Sequence, residues 1–284
     1  MKKPCVLIVL TFVVRLYSGA QTGSEIYLAD LEITKTGISL SNPKNITDHK
    51  GYDNQPSFHP NKHLLYYSSF NDEERTEIKV FNYRNDKVEL FTETKEREYS
   101  PTVTPDEKFI SCIIQRDDGA QDLGKYPVKG GDPVILINNL LVGYHTWINP
   151  TQLALFVLGA PLTLRVFNIE TKKDTIVAKG IGRSLHKIPG TKGFSYIDKS
   201  SAHWKINSWI EGEIETIIEA LPGREDITWT PDGKIITSDG QQFFFCDPKA
   251  KEVKWQMFYA ADVKGVSRLA VSHDGKKIAF VVAE

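Results

Sequence analysis

Six short clusters of polar and aromatic side chains carry the chemistry this sequence offers. They are Asp53, Asn54 and Gln55; Glu98, Tyr99 and Ser100; Tyr144 and His145; Arg183 and Ser184; Arg224, Glu225 and Asp226; and Ser267 and Arg268. Arg183 and Arg268 have the forked donors that grip a carboxylate through two parallel hydrogen bonds. Tyr99 and Tyr144 add aromatic contact area of the kind found at binding surfaces. Asp53, Glu98, Glu225 and Asp226 are the residue types of an acid–base pair, if folding separates two of them suitably. His145 and His186 with Asp53 or Glu98 have the donor atoms of a divalent-metal site. The same charges can instead pair with one another and staple neighbouring elements. His145 aligns with Pro56, Pro101, Leu185, Ile227 and Leu269, which favours a packing role. His186 interrupts a column of small residues, Ser57, Thr102, Thr146, Thr228 and Ala270, and is the more suggestive histidine.

What positions these clusters is a repeat. Gln55-Pro56-Ser57-Phe58-His59-Pro60-Asn61 returns as Ser100-Pro101-Thr102-Val103-Thr104-Pro105-Asp106, then as Thr146-Trp147-Ile148-Asn149-Pro150 and Ser184-Leu185-His186-Lys187-Ile188-Pro189-Gly190. The last copies are Ile227-Thr228-Trp229-Thr230-Pro231-Asp232-Gly233 and Leu269-Ala270-Val271-Ser272-His273-Asp274-Gly275. Aligned on Pro60, Pro105, Asn149, Pro189, Pro231 and His273, they are spaced by 45, 44, 40, 42 and 42 residues. Proline presets φ for a tight turn, and glycine or Asn accepts the left-handed position that follows. An apolar strand comes next, such as Leu64-Leu65-Tyr66-Tyr67 or Ile278-Ala279-Phe280-Val281, then a third and a fourth strand in the unit. Four short strands in about 40 residues make one propeller blade. The fold class is therefore all-β, a six-bladed propeller. Its innermost strands bring the six polar clusters to one mouth of a central channel.

Closure of the ring is also written in the chain. Only 11 residues follow His273, enough for a second strand of the sixth blade and no more. Glu25-Ile26-Tyr27-Leu28-Ala29-Asp30-Leu31 and Gly37-Ile38-Ser39-Leu40 supply its third and fourth strands, so the N-terminal strands complete the last blade. A ring sealed this way has no long unpaired sheet edge. The expected domain is a single propeller spanning 21–284, preceded by a signal peptide over 1–20. Lys2 and Lys3 lead a ten-residue apolar run, Cys5 to Val14, and Ser18-Gly19-Ala20 ends in small residues. The run is half of the about 20 residues that span a bilayer, so it reads as an export leader and not as a membrane anchor.

Composition removes several classes. With 40% hydrophobic and 25% charged residues, the chain is neither disordered nor collagen-like. Its 35 basic and 36 acidic residues give a net charge of −1, which argues against a phosphate-backbone binder. Cys112 and Cys246 sit inside apolar runs, read as buried free thiols. No His-Glu-Xaa-Xaa-His, phosphate loop or dinucleotide fingerprint is present. Gly182-Arg183-Ser184-Leu185-His186 departs from the nucleophile elbow in its last residue and in its strand context.

Phe58-His59-Pro60-Asn61, Val103-Thr104-Pro105-Asp106 and Trp229-Thr230-Pro231-Asp232-Gly233-Lys234 resemble the repeat of TolB-like, WD-like bacterial propellers. The resemblance covers residues 24–284, and its fourth unit, His186-Lys187-Ile188-Pro189, departs from the pattern. The leader, the lack of a catalytic motif and this resemblance together point to an exported, periplasmic or secreted protein that holds a partner at the propeller mouth, with no catalysis expected. That partner is an envelope protein, a peptide or a small ligand. No counterpart is expected here for the α/β domain that precedes the propeller in TolB. The ligand-binding set is Asp53, Asn54, Glu98, Tyr99, Tyr144, His145, Arg183, His186, Glu225, Asp226 and Arg268. No cofactor is assigned, a divalent metal in the channel being the alternative. The competing functional reading is a glycan- or metabolite-processing enzyme using the His and carboxylate residues of the mouth. A monomer without membrane span and without nucleic-acid affinity is expected.

Overall fold

A computed structural model describes residues 23–35, 37–262 and 264–284, so the expected leader over 1–20 lies outside the described residues. Those residues form 24 β-strands in six four-stranded antiparallel sheets, with no helix among them. Blades 1 to 6 begin at the innermost strands Asp53–Phe58, Arg97–Val103, Val142–Asn149, Ile181–Lys187, Ile227–Trp229 and Ser267–Val271. In the sixth sheet, Lys277–Ala283 pairs with Ser24–Ile33, which pairs with Ile38–Asn45. The register runs from Ser24 opposite Ala283 to Asp30 opposite Lys277. The last blade is thus built from both ends of the sequence, as the closure arithmetic requires.

Burial follows depth in the blade. The second strands, such as Leu64–Phe70 and Phe109–Gln115, are buried over their central five residues because both faces meet a neighbouring sheet. The outermost strand Lys87–Leu90 is exposed throughout. Six apolar clusters make the core, and each is one seam between adjacent blades. Phe243 of blade 5 meets Phe280 of blade 6 edge to face at 5.1 Å. Ile113 and Leu123 of blade 2 pack on Trp147 and Leu155 of blade 3. Ile26 and Val281 of blade 6 pack on Leu65 and Phe81 of blade 1. Each large apolar side chain buried in a seam contributes roughly 1.5–3 kcal/mol.

The repeat motif has a hydrogen-bond logic. The hydroxyls of Thr104, Thr230 and Ser272 each donate to the carboxylate two residues on, Asp106, Asp232 and Asp274, at 2.6 Å. Each hydroxyl also accepts a backbone N–H from the start of the next strand, at Phe109, Lys234 and Lys277. In blade 1 the His59 ring takes that place, with Nδ1 accepting from the backbone N–H of Asn61 at 3.1 Å. Trp147 and Trp229, on innermost strands, each donate an indole N–H at 2.9 Å to a serine in the preceding blade, Ser111 and Ser195. Cys112 and Cys246 are both free and buried.

Candidate functional site

The innermost strands are not regular. Those of blades 1, 2, 3, 4 and 6 each slip register in their first half, between Asn54 and Ser57, Tyr99 and Thr102, Val142 and Tyr144, Ile181 and Leu185, and Ser267 and Ala270. Gln55, Ser100 and Arg268 lie inside these bulges with positive φ of 58°, 56° and 46°. A bulge re-aims a side chain. Gln55, Ser100, Tyr144, Arg183, Asp226 and Arg268 all reach the channel wall there, one from each blade. Below them runs the column of small residues, Ser57, Thr102, Thr146, Thr228 and Ala270, interrupted by His186.

Arg268 and Tyr144 dominate this upper ring. Arg268 Nη2 donates to Tyr144 Oη at 2.8 Å, and the guanidinium carbon lies 4.9 Å from the centre of that ring. Tyr144 belongs to blade 3 and Arg268 to blade 6, which stand opposite in a ring of six. The pair is therefore a crossbar over the channel. It divides a chamber of about 330 Å³ below from a vestibule of about 450 Å³ above, and both are lined by Gln55, Tyr144, Arg183 and Arg268.

The remaining charges form a network joining blades 4 and 5. Arg183 Nη2 reaches Asp226 Oδ2 at 3.3 Å, and its Nε lies 3.4 Å from Glu225 Oε1. The Arg183 backbone N–H donates to Glu225 Oε2 at 3.0 Å, and Lys199 Nζ lies 3.5 Å from the same oxygen. Arg268 Nη1 stays 3.8 Å from Asp226 Oδ1, an ion pair without a hydrogen bond. Three cations against two carboxylates leave the cluster one positive charge in excess. Part of the arrangement is a structural staple, but Arg268 has donors to spare.

The sequence-predicted set divides in two. Asn54, Tyr99, Tyr144, Arg183, Asp226 and Arg268 line the vestibule or the channel, and Glu225 stands behind Arg183. Asp53 and Glu98 correct the expectation of a mouth position, since both are fully buried in the seams. Each precedes the bulge and so lies on the opposite face of its strand from the channel residues. Burial raises the Asp53 carboxyl to about 6 against the opposing Ser69 hydroxyl, and His49 Nε2 lies 3.1 Å from its Oδ2. Burial and the adjoining Glu77 carboxyl raise Glu98 to about 7, against hydrogen bonds donated by Thr94 and Tyr126.

His145 lies 2.7 Å through Nε2 from Ser111 Oγ, between blades 2 and 3, and burial pushes it down to about 3. His186 lies 3.0 Å through Nε2 from Ser184 Oγ on the channel wall, and burial pushes it down to about 4. Both rings are neutral near pH 7. The two histidines are not brought together with Asp53 or Glu98, and among the described residues no three His, Cys, Asp or Glu side chains are placed to hold a metal ion.

Sequence reasoning missed Tyr52, Gln115, Gln121 and Lys199. Tyr52, Gln115 and Gln121 line the vestibule, and Lys199 stands over the Trp204 ring at 3.9 Å. Tyr52 directly precedes the Asp53 cluster and was within reach of the same pattern. Gln115 and Gln121 end and begin neighbouring strands of blade 2, and nothing in their local sequence marks a mouth position.

No protein-family model and no curated protein sequence matches the chain. Solved structures do match in fold. A protein of Agrobacterium tumefaciens assigned as a TolB superposes with a TM-score of 0.69 at 13% identity, over 93% of this chain and 99% of that one. TolB from Acinetobacter baumannii gives 0.58 at 12%, over 92% of this chain and 64% of that one. An oligogalacturonate lyase in complex with manganese gives 0.60 at 12%, over 87% and 82%. A chain of a nidogen/laminin complex gives 0.60 at 10%, over 92% and 98%. The likeness is one of architecture: the chain has the TolB-like six-bladed propeller fold.

Proposed function

We propose that this protein is an exported, non-catalytic binding propeller that captures an anionic group of a peptide, protein or small ligand at its channel mouth. The observation that carries this reading is Arg268. Its side chain is 14% exposed, it engages one hydroxyl by hydrogen bond among the described residues, and it faces the vestibule with Nη1 held only by the 3.8 Å ion pair to Asp226. A guanidinium removed from bulk water, whose nearest carboxylate stays beyond hydrogen-bond distance, favours an incoming anion. Arg268 also keeps a left-handed backbone, a strain of about 1–3 kcal/mol that tends to persist at functional positions. A neighbour in fold taken from a nidogen/laminin complex supports protein binding by this architecture in general.

Short acidic peptides test the reading in solution. Wild-type protein should bind one or more members of such a panel, and Arg183→Ala/Arg268→Ala should weaken binding at least tenfold in protein that still melts cooperatively. Equal binding by the double variant, or no binding by wild type, overturns it. Turnover of a bound compound in the same samples would replace it by the enzymatic alternative, for which His186 and Asp226 are the histidine and carboxylate on the channel wall. Export rests on the leader-like 1–20 segment. Terminal sequencing of protein recovered from the periplasm or medium should begin at Gln21, and an intact Met1 terminus there would count against cleavage.

A further inference from the structure

The vestibule above the Arg268–Tyr144 crossbar has a second character besides its charge. Three tyrosines, Tyr52, Tyr99 and Tyr144, stand around it, with Tyr52 and Tyr99 meeting edge to face at 6.3 Å. Carboxamides face it from blades 1 and 2. The Gln55 carbonyl is spent on the Ser100 N–H at 2.7 Å and the Ser68 hydroxyl at 3.0 Å, which fixes the amide and leaves its Nε2 free toward the cavity. Among the described residues, the Gln115 amide and the Tyr52 and Tyr99 hydroxyls have no hydrogen-bond partner. The buried Nε of Arg183 makes no hydrogen bond either, its ion-pair contact being Glu225 Oε1 at 3.4 Å. Flat aromatic faces, fixed amides and hydroxyls are suited to a ring that carries several hydroxyls, because each amide or hydroxyl can donate or accept. The volume of about 450 Å³ falls in the range of small-molecule sites and is too small for a folded partner.

Taken with the single excess positive charge, the geometry points to a sugar acid: a monoanionic, polyhydroxylated ring bound in the vestibule. Its carboxylate meets Arg268 and Arg183, a tyrosine covers a ring face, and its hydroxyls bond Gln55 and Gln115. This rests on the anion-capturing reading above and narrows it to one ligand class.

Titration calorimetry with D-glucuronate, D-glucose, acetate and an acidic peptide separates the two levels. Glucuronate should bind at least tenfold more tightly than glucose and than acetate. Arg268→Gln should abolish the preference over glucose, and Gln115→Ala, a half-exposed position outside the core, should weaken glucuronate severalfold while leaving acetate unchanged. Glucuronate binding no better than acetate overturns the sugar-acid assignment. An Arg268-dependent peptide complex without glucuronate binding overturns it too, and leaves anion capture standing. Absence of binding by all four probes overturns both.

Discussion

Glu98 and Glu77 are both fully buried in the seam between blades 1 and 2, and one oxygen of each, Oε2, has no hydrogen-bond partner. Two carboxyls sharing a dry site cannot both ionise cheaply, so one proton is retained. With Glu98 raised from its ordinary 4.5 to about 7, its stabilising protonated form is fully present below about pH 4.5 and lost as pH rises through 7. The Glu98 contribution therefore falls by roughly 2 kcal/mol between pH 5 and pH 8, while the neutral rings of His145 and His186 contribute in the opposite sense, so it is read as the difference in urea midpoint between wild type and Glu98→Gln. Glu98→Gln, which keeps the shape without the charge, should gain on wild type as pH rises from 5 to 8, and a difference independent of pH would remove Glu98 as a source of the pH dependence, leaving Asp53 and the two histidines. Glu98 also shows what the sequence hides at this scale. The polar cluster Glu98-Tyr99-Ser100 is plain to read, but which member enters the channel depends on a one-residue slip that swaps the faces of a strand. Ser100 and Gln55 need the left-handed backbone of a bulge to reach the channel, and neither residue type announces it.

At the scale of the strand and turn, the repeat is legible because each copy must solve the same problem of reversing direction and feeding a buried strand. The Thr-Pro-Asp-Gly and Ser-His-Asp-Gly copies do so with one hydroxyl used twice, as donor and as acceptor. Gly275 sits at φ 69° with its missing Cβ 3.0 Å from Ile33 Cδ1. Gly275→Ala should destabilise by about 1–2 kcal/mol through the left-handed penalty, read as a lowered melting temperature. Seams are less legible than turns, since partners come from separate repeats. Ser111 accepts the Trp147 indole N–H and lies against His145 Nε2, none of it visible in the run Phe109-Ile110-Ser111-Cys112. Ser111→Ala strands both buried groups and should cost about 1–3 kcal/mol, whereas the same change at exposed Ser201 should cost almost nothing; equal melting shifts would refute the seam role.

For the whole molecule, ring closure was the most legible feature, because a strand count that fails at one end is made up at the other. The pairing of Ser24–Ile33 with Lys277–Ala283 confirms it, and Glu284 donates its backbone N–H to Gly23 O at 3.1 Å. Joining residues 23 and 284 through a short linker and opening the chain at the exposed Asn138-Asn139 turn should yield a folded permutant with a near-native melting temperature. Failure of that permutant to fold would mean that the sixth sheet needs its ends free. Hydrophobic seams run around the circumference, but the Arg268–Tyr144 bond lies along a diameter, between blades that share no seam. An anion drawing Arg268 off that tyrosine would release the bore while every wall stays put, so occupancy of the vestibule should change the passage of water and solutes through the middle without any detectable loosening of the rim.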